Sequence, residues 1–154
     1  MTTNIKKINT TWSEFDSDIA IFSNFIKQFN FDKNSVILSI KRGGFTTSST
    51  LSNKLSIPLS VVSYQTRDGA QTLPKFLESE MLTFDKKIII PDDIYDSGKT
   101  IETIVEYLTI VYQIPIENIM GLFHYNSDEI QNTKLKCYHS CHKSNGNWIE
   151  YPWE

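Results

Sequence analysis

Three carboxylates fall within five residues, at Asp92, Asp93 and Asp96, and Ser97-Gly98-Lys99-Thr100 follows at once. Like charges this close repel each other unless a cation or solvent stands among them, so a hard cation is their natural guest. The four residues that follow offer main-chain amides, two hydroxyls and an ammonium at the start of a helical pattern, where a phosphate binds well. One short loop thus offers metal and phosphate chemistry together. A ligand with hydroxyls or a metal at one end and a phosphate at the other would match it. The ending Gly98-Lys99-Thr100 invites comparison with the nucleotide-binding P-loop, but that motif needs a glycine five residues before Gly98, and Asp93 stands there. A triphosphate would also meet a cradle lined with carboxylates.

The elements that must position this loop are legible from periodicity. From Thr11 to Phe29 the residues Trp12, Phe15, Ile19, Phe22, Ile26 and Phe29 recur at steps of three and four, which predicts a helix with one buried stripe. Thr11 and Glu14 fit a capping box at its start. Ser35 to Ile40 is short and apolar at its centre, as a strand covered on both faces should be, and it ends at Lys41-Arg42-Gly43-Gly44. A short helix is expected from about Thr46 to Leu55 and a strand from Leu59 to Tyr64. Residues 65–85 contain Gly69, Pro74 and mixed charges with little periodicity, the mark of a functional or mobile loop, here a candidate lid. Lys87 to Asp92 is the clearest buried strand and runs straight into the acidic loop. A helix from about Thr100 to Val111 and a strand from Ile119 to Tyr125 follow. The last segment, 126–154, is polar and aromatic. Strands alternating with helices predict an α/β fold with a mainly parallel twisted sheet flanked by helices, whose ligands sit beyond the carboxyl ends of the strands. The loops after Ile40 and Ile90 both lie at that edge.

The chain has 154 residues, so residues 1–154 are expected to form a single domain. A formal net charge of −3, with no long run of Lys and Arg, supplies no electrostatic footprint for nucleic acid. No stretch approaches the ~18 apolar residues that span a bilayer, and the first ten residues carry no apolar signal region. A cytoplasmic protein with neither nucleic-acid nor membrane partners is expected. Cys137 and Cys141 read as reduced thiols. Together with His139 and His142 they crowd one short segment, and on a strand Cys137, His139 and Cys141 would share a face. Their spacing lacks the separated ligand pairs of structural zinc sites, so ordinary packing is the expectation.

An apolar strand, Asp-Asp, two residues, Asp-Ser-Gly, one residue and Thr resembles the phosphoribosyl pyrophosphate motif of type I phosphoribosyltransferases. Ser39-Ile40-Lys41-Arg42-Gly43-Gly44-Phe45 resembles the pyrophosphate loop of the xanthine-guanine and hypoxanthine members, and Asn147-Trp148-Ile149-Glu150-Tyr151-Pro152-Trp153 resembles their purine-binding C-terminal segment. Thr11-Trp12 opens the first helix as it does there. The resemblance implies a magnesium-dependent purine phosphoribosyltransferase of purine salvage, with a small C-terminal base-binding segment over 126–154 and a dimeric or tetrameric assembly. It assigns Asp92 and Asp93 to the ribose hydroxyls and to magnesium, directly or through water, and Asp96 to general acid or base catalysis at the purine ring nitrogen. The groups of Asp96, Ser97, Gly98, Lys99 and Thr100 would hold the ribose phosphate. Lys41, Arg42, Gly43 and Gly44 would hold pyrophosphate, with a cis peptide at Lys41-Arg42. In the candidate lid, Arg67 could reach pyrophosphate or belong to a solvated turn around Asp68-Gly69; Lys75 and Lys86 are weaker candidates. Trp148 is either a purine platform or a tryptophan closing the core, and the resemblance favours the platform. Main-chain carbonyls around Trp148 and Ile149 would then read the purine edge.

One departure concerns the purine oxygen. The xanthine-guanine members meet it with a lysine near the end of the preceding strand, where this chain has Leu122-Phe123-His124-Tyr125, leaving Tyr125 or His124 as substitutes. Two alternatives stay open on sequence: transfer to a pyrimidine or other amine, and a nucleotide-sensing regulator that binds without turnover.

Overall fold

The computed structural model describes residues 4–64, 73–127 and 133–154, together with the backbone of Thr66–Arg67 and Ala70–Gln71. In chain order the elements are β1 (Lys7–Asn9), α1 (Trp12–Gln28), β2 (Ser35–Lys41), α2 (Phe45–Leu55), β3 (Leu59–Ser63), β4 (Thr66–Arg67), β5 (Ala70–Gln71), β6 (Lys75–Phe76), β7 (Lys87–Tyr95), α3 (Lys99–Ile110), β8 (Ile119–Asn126), β9 (Cys137–Lys143) and β10 (Trp148–Glu150). The main sheet runs β6-β3-β2-β7-β8-β9 and is parallel except where β6 meets β3. The expected α/β architecture is therefore present.

Alternation along the strands sorts the core into two layers. Val36, Leu38, Ile40, Ile88, Ile90 and Phe123 point toward α3 and pack with its Ile101, Ile104, Val105 and Leu108. Ile37, Ile89, Met120 and Leu122 point the other way, against Phe15, Ile19, Phe22 and Ile26 of α1 and Leu51 of α2. The capping box forms as the sequence implies. Glu14 N–H donates to Thr11 Oγ1 at 3.1 Å, and Thr11 N–H donates to Glu14 Oε2 at 2.8 Å. The two ends of the predicted stripe, Trp12 and Phe29, remain exposed because only the middle of α1 lies over the sheet.

Four boundaries differ from the sequence expectation. Strand β7 continues past Asp92 to Tyr95, because β8 keeps pairing with it up to Tyr95↔Asn126. Asp93 to Tyr95 thus stand on the strand rather than in an irregular loop. Of the stretch 65–85 expected as a candidate lid, the part from Lys75 is fastened to the sheet edge. Leu77 N–H donates to Val61 O at 2.8 Å, Ser60 Oγ donates to Leu77 O at 2.6 Å, and Leu82 is buried. Third, the C-terminal segment is not one unit. Its first part, β9, is the sixth strand of the main sheet, and only β10 stands apart. Fourth, β10 pairs in parallel with β1, an N-terminal strand that periodicity did not indicate. Among the described residues no helix is long and apolar enough to cross a membrane.

Phe22 is fully buried, with its ring edge-on to His124 at 5.1 Å. Phe22→Ala is expected to cost ~3–5 kcal/mol of stability, the range for emptying an aromatic core site. Urea unfolding followed by circular dichroism measures it.

Candidate active site

Because β2 and β7 are adjacent and parallel, the chain leaves both at the same sheet edge, and the glycine loop comes to rest on the acidic strand end. A Cβ on Gly43 would lie 2.7 Å from Asp93 Oδ2, and one on Gly44 would lie 2.6 Å from Pro91 O and 3.2 Å from Ile40 O. Only glycine fits at this contact with two main-chain oxygens. The Lys41-Arg42 peptide is cis, as the family resemblance implies. Lys41 and Arg42 are exposed at the mouth of the loop.

The two aspartates are held by their own backbone. Asp93 N–H donates to Asp92 Oδ1 at 2.9 Å, and Ile94 N–H donates to Asp93 Oδ1 at 2.7 Å. One oxygen of each carboxylate is thereby committed to the main chain. Burial, and then the charge of Asp93, pushes the Asp92 carboxyl well above the usual carboxylate range. Two crowded carboxylates of this kind fit a divalent cation, which would relieve the repulsion through hard oxygen ligands.

Beyond Tyr95 the chain turns into α3 through Gly98, whose φ of +82° is left-handed and whose α-carbon lies against the Tyr95 ring. Tyr95 Oη donates to Glu102 Oε1 at 2.7 Å, and Glu102 also accepts from Thr133 Oγ1 at 2.9 Å and Lys134 N–H at 3.1 Å. Burial first raises the Tyr95 phenol, to about 12, so it remains a donor. Glu102 thus ties the end of β7, the first turn of α3 and the start of the path into β9. Ser97 and Lys99 are exposed, Gly98 is buried and Thr100 half-buried at the helix start. The free amides of that turn offer an anion site.

A cavity of about 500 Å³ opens between this strand end and the C-terminal segment, lined by Asp93, Ile94, Asp96, Ser127, Trp148 and Ile149 among others. Trp148 is 65% exposed and Ile149 is buried beside it. The tryptophan that closes the core is instead Trp153, edge-on to Phe15 at 5.5 Å and stacked on Tyr151 at 4.8 Å. Tyr125 does not line the cavity. It is buried behind it with Ile149 and Tyr151, its ring 5.0 Å from that of His142. His124 is also interior, held by Asp18 and Thr47. Neither Tyr125 nor His124 lines the cavity: the two point to opposite faces of β8, and each is packed inside the protein. Arg67 and the rest of 65–72 lie outside the residues whose side chains are described.

Three residues that sequence reasoning passed over brace the site. Tyr151 Oη donates to Asp93 O at 3.0 Å, Ser127 Oγ donates to Asp96 O at 2.7 Å, and Ser127 N–H donates to Tyr95 O at 2.9 Å. Glu102 is the third. Tyr151 could have been found from its even spacing with Ile149, with which it packs just beyond β10; Ser127 carries no such signal. The Cys137, His139, Cys141 and His142 group is spread by its strand. Cys137 and Cys141 pack against the α1 layer, His139 lies beside Phe25 at 5.2 Å, and His142 bonds Asp18. Burial pushes both thiols up. Among the described residues no three ligand-type side chains gather as a metal site.

The family described as phosphoribosyl transferase domain matches residues 11–146, spanning both loops. The chain belongs to that family. No curated protein sequence matches it significantly. Among solved structures, the phosphoribosyltransferase fold is shared with a purine phosphoribosyltransferase from Pyrococcus horikoshii at 25% identity and TM-score 0.75, covering 97% of this chain and 95% of that one. A xanthine-guanine-hypoxanthine phosphoribosyltransferase from Helicobacter pylori matches at 16% identity and TM-score 0.73, covering 96% and 93%. An orotate phosphoribosyltransferase from Aeropyrum pernix matches at 18% identity and TM-score 0.64, covering 86% and 73%. This phosphoribosyltransferase therefore shares its fold with enzymes named for different acceptors, and the fold alone does not select the base.

The glycine seat supplies a direct check. Gly44→Ala must move the loop away from two main-chain oxygens that cannot yield as a side chain would. Its KM for phosphoribosyl pyrophosphate is expected to rise tenfold or more, with a melting temperature within a few degrees of the parent.

Proposed function

We propose that this phosphoribosyltransferase transfers phosphoribose from phosphoribosyl pyrophosphate to a 6-oxopurine, giving the nucleoside monophosphate and pyrophosphate. The observation that carries the proposal is the placement of the exposed Trp148 face across one cavity from Asp93 and Asp96. A flat ring on Trp148 would lie between apolar Ile149 and the carboxylate end of β7, which suits a heterocycle about to meet a sugar.

Each part of the sugar phosphate has a counterpart. Asp92 and Asp93 face the ribose hydroxyls, and the amides and hydroxyls of Asp96 to Thr100 hold the 5′-phosphate at the start of α3. Arg42, Lys41 and the amides of Gly43 and Gly44 take the pyrophosphate. Magnesium, held by Asp92 and Asp93 directly or through water, would supply charge neutralisation for the leaving group. As the bond from the anomeric carbon to pyrophosphate breaks, positive charge develops on the ribosyl centre, and Arg42 steadies the negative charge that leaves. A purine nitrogen then attacks from the opposite face. Asp96 takes or relays the proton of the base.

Magnitudes rank these contributions. General acid–base help is worth ~100–10,000-fold, whereas holding two substrates in line reaches effective molarities of ~10⁵ M or more. Positioning outweighs the base. Asp96→Asn is therefore expected to slow turnover by ~100-fold or more with little change in phosphoribosyl pyrophosphate affinity. The assay is pyrophosphate release across guanine, hypoxanthine, xanthine, adenine and orotate, with magnesium omitted as the control. Turnover that persists without a divalent metal would remove magnesium from the proposal, and a preference for orotate or adenine would remove the 6-oxopurine.

A further inference from the structure

A second polar cluster, none of whose residues lines the cavity, takes no part in the chemistry above. Thr47 Oγ1 is 2.7 Å from His124 Nε2, His124 Nδ1 is 2.7 Å from Asp18 Oδ2, and the other carboxylate oxygen, Asp18 Oδ1, is 2.9 Å from His142 Nε2. Four elements meet in it: α2, β8, α1 and β9. Thr47, His124 and Asp18 are buried, at 0%, 2% and 3% exposure, with Phe15 stacked on the His124 ring at 5.5 Å.

Hydroxyl, imidazole and carboxylate at these distances have the order of an activated nucleophile. Here the hydroxyl is wholly enclosed and cannot meet a substrate, so nucleophilic catalysis is excluded and orientation is left. Burial alone would raise the Asp18 carboxyl, but the hydrogen bonds from the His124 and His142 rings hold it below the usual carboxylate range. An ionised Asp18 accepts a proton bond from each ring. His124 then carries its proton on Nδ1 and presents Nε2 as an acceptor for the Thr47 hydroxyl.

What makes this more than core packing is the place of Thr47. It is the third residue of α2, one turn beyond Gly44, whose carbonyl accepts from Ser48 N–H at 2.9 Å. The same Gly44 rests against Pro91 O and Ile40 O with no space to spare. The pyrophosphate loop is therefore gripped from two sides, by the main chain of β7 ahead of it and by the Thr47 hydroxyl behind it. We infer that Asp18, His124 and Thr47 are positioning residues that set the pyrophosphate loop through the first turn of α2. The inference rests on the assignment of that loop to pyrophosphate.

Thr47→Val keeps the shape and deletes the hydroxyl, and Thr47→Ser keeps the hydroxyl. In Thr47→Val the KM for phosphoribosyl pyrophosphate is expected to rise about tenfold, the size of one lost buried hydrogen bond, while the KM for the base stays within about twofold. Thr47→Ser should restore the parent value to within about threefold. Affinity for pyrophosphate with magnesium, measured by calorimetry, should fall in parallel. A Thr47→Val protein that melts earlier with both KM values unchanged, or with both changed equally, overturns the inference and leaves a structural network. Should Thr47→Val fail to fold, Asp18→Asn reports the same split, because it removes the charge that fixes the His124 tautomer. The two proposals fail separately. A parent protein silent on every base removes the proposed function, whereas calorimetry on parent and variants still reads the loop.

Discussion

The site depends on one close approach, that of the main chain after β2 to the main chain at the end of β7. Neighbouring parallel strands deliver their following loops to the same edge, but adjacency alone leaves them a side chain apart. Gly43 and Gly44 remove that side chain. The backbone of one loop then lies directly against Asp93 and the Pro91 carbonyl of the other, and the groups assigned to pyrophosphate and to ribose form one continuous surface. Moving either loop would separate two ends of the same ligand. Repulsion between Asp92 and Asp93 makes the arrangement costly in the ligand-free protein, and that cost is what a bound cation would relieve.

How far the sequence revealed this depends on whether the determining contacts were local. Helix α1 was legible because its capping box and its three-and-four spacing lie within the helix itself. The loop from Asp92 to Thr100 was legible because carboxylates, glycine and hydroxyls sit side by side in the chain. Strand β1 was not, since Lys7–Asn9 becomes a strand only by pairing with Trp148–Glu150, some 140 residues away. Strand β9 was hidden for a different reason. An edge strand half-exposed along its length shows neither clean alternation nor a continuous apolar run. Tyr125 illustrates a third reason: it lies two residues from Ser127, which lines the cavity, but long-range packing with Ile149 and Tyr151 buries it behind that cavity.

The C-terminal segment shows how an exposed aromatic is kept available. Trp148 and Trp153 are five residues apart and have opposite fates. Trp153 is drawn into a stack with Tyr151, Phe15 and Trp12, and this anchor allows Trp148 to stand out over the cavity without the segment peeling away. The pairing of β10 with β1, with an ion pair between Lys7 and Glu150, fixes the other edge.

Between these fixed points Tyr151 provides the link to the acidic strand. Burial and then the charges of Asp93 and Asp92 push its phenol far up, so it stays protonated and can only donate along this contact. Its partner is a main-chain carbonyl, not a carboxylate, and the hydrogen bond therefore braces Asp93 without neutralising it. Ser127 does the same for Asp96. Both hydrogen bonds leave the carboxylate oxygens untouched while the backbones of Asp93 and Asp96 are pinned. A shift of the C-terminal segment would consequently move the two carboxylates along with Trp148, which is how the proposed base and sugar sites, built from residues about 55 apart in the chain, can keep one geometry.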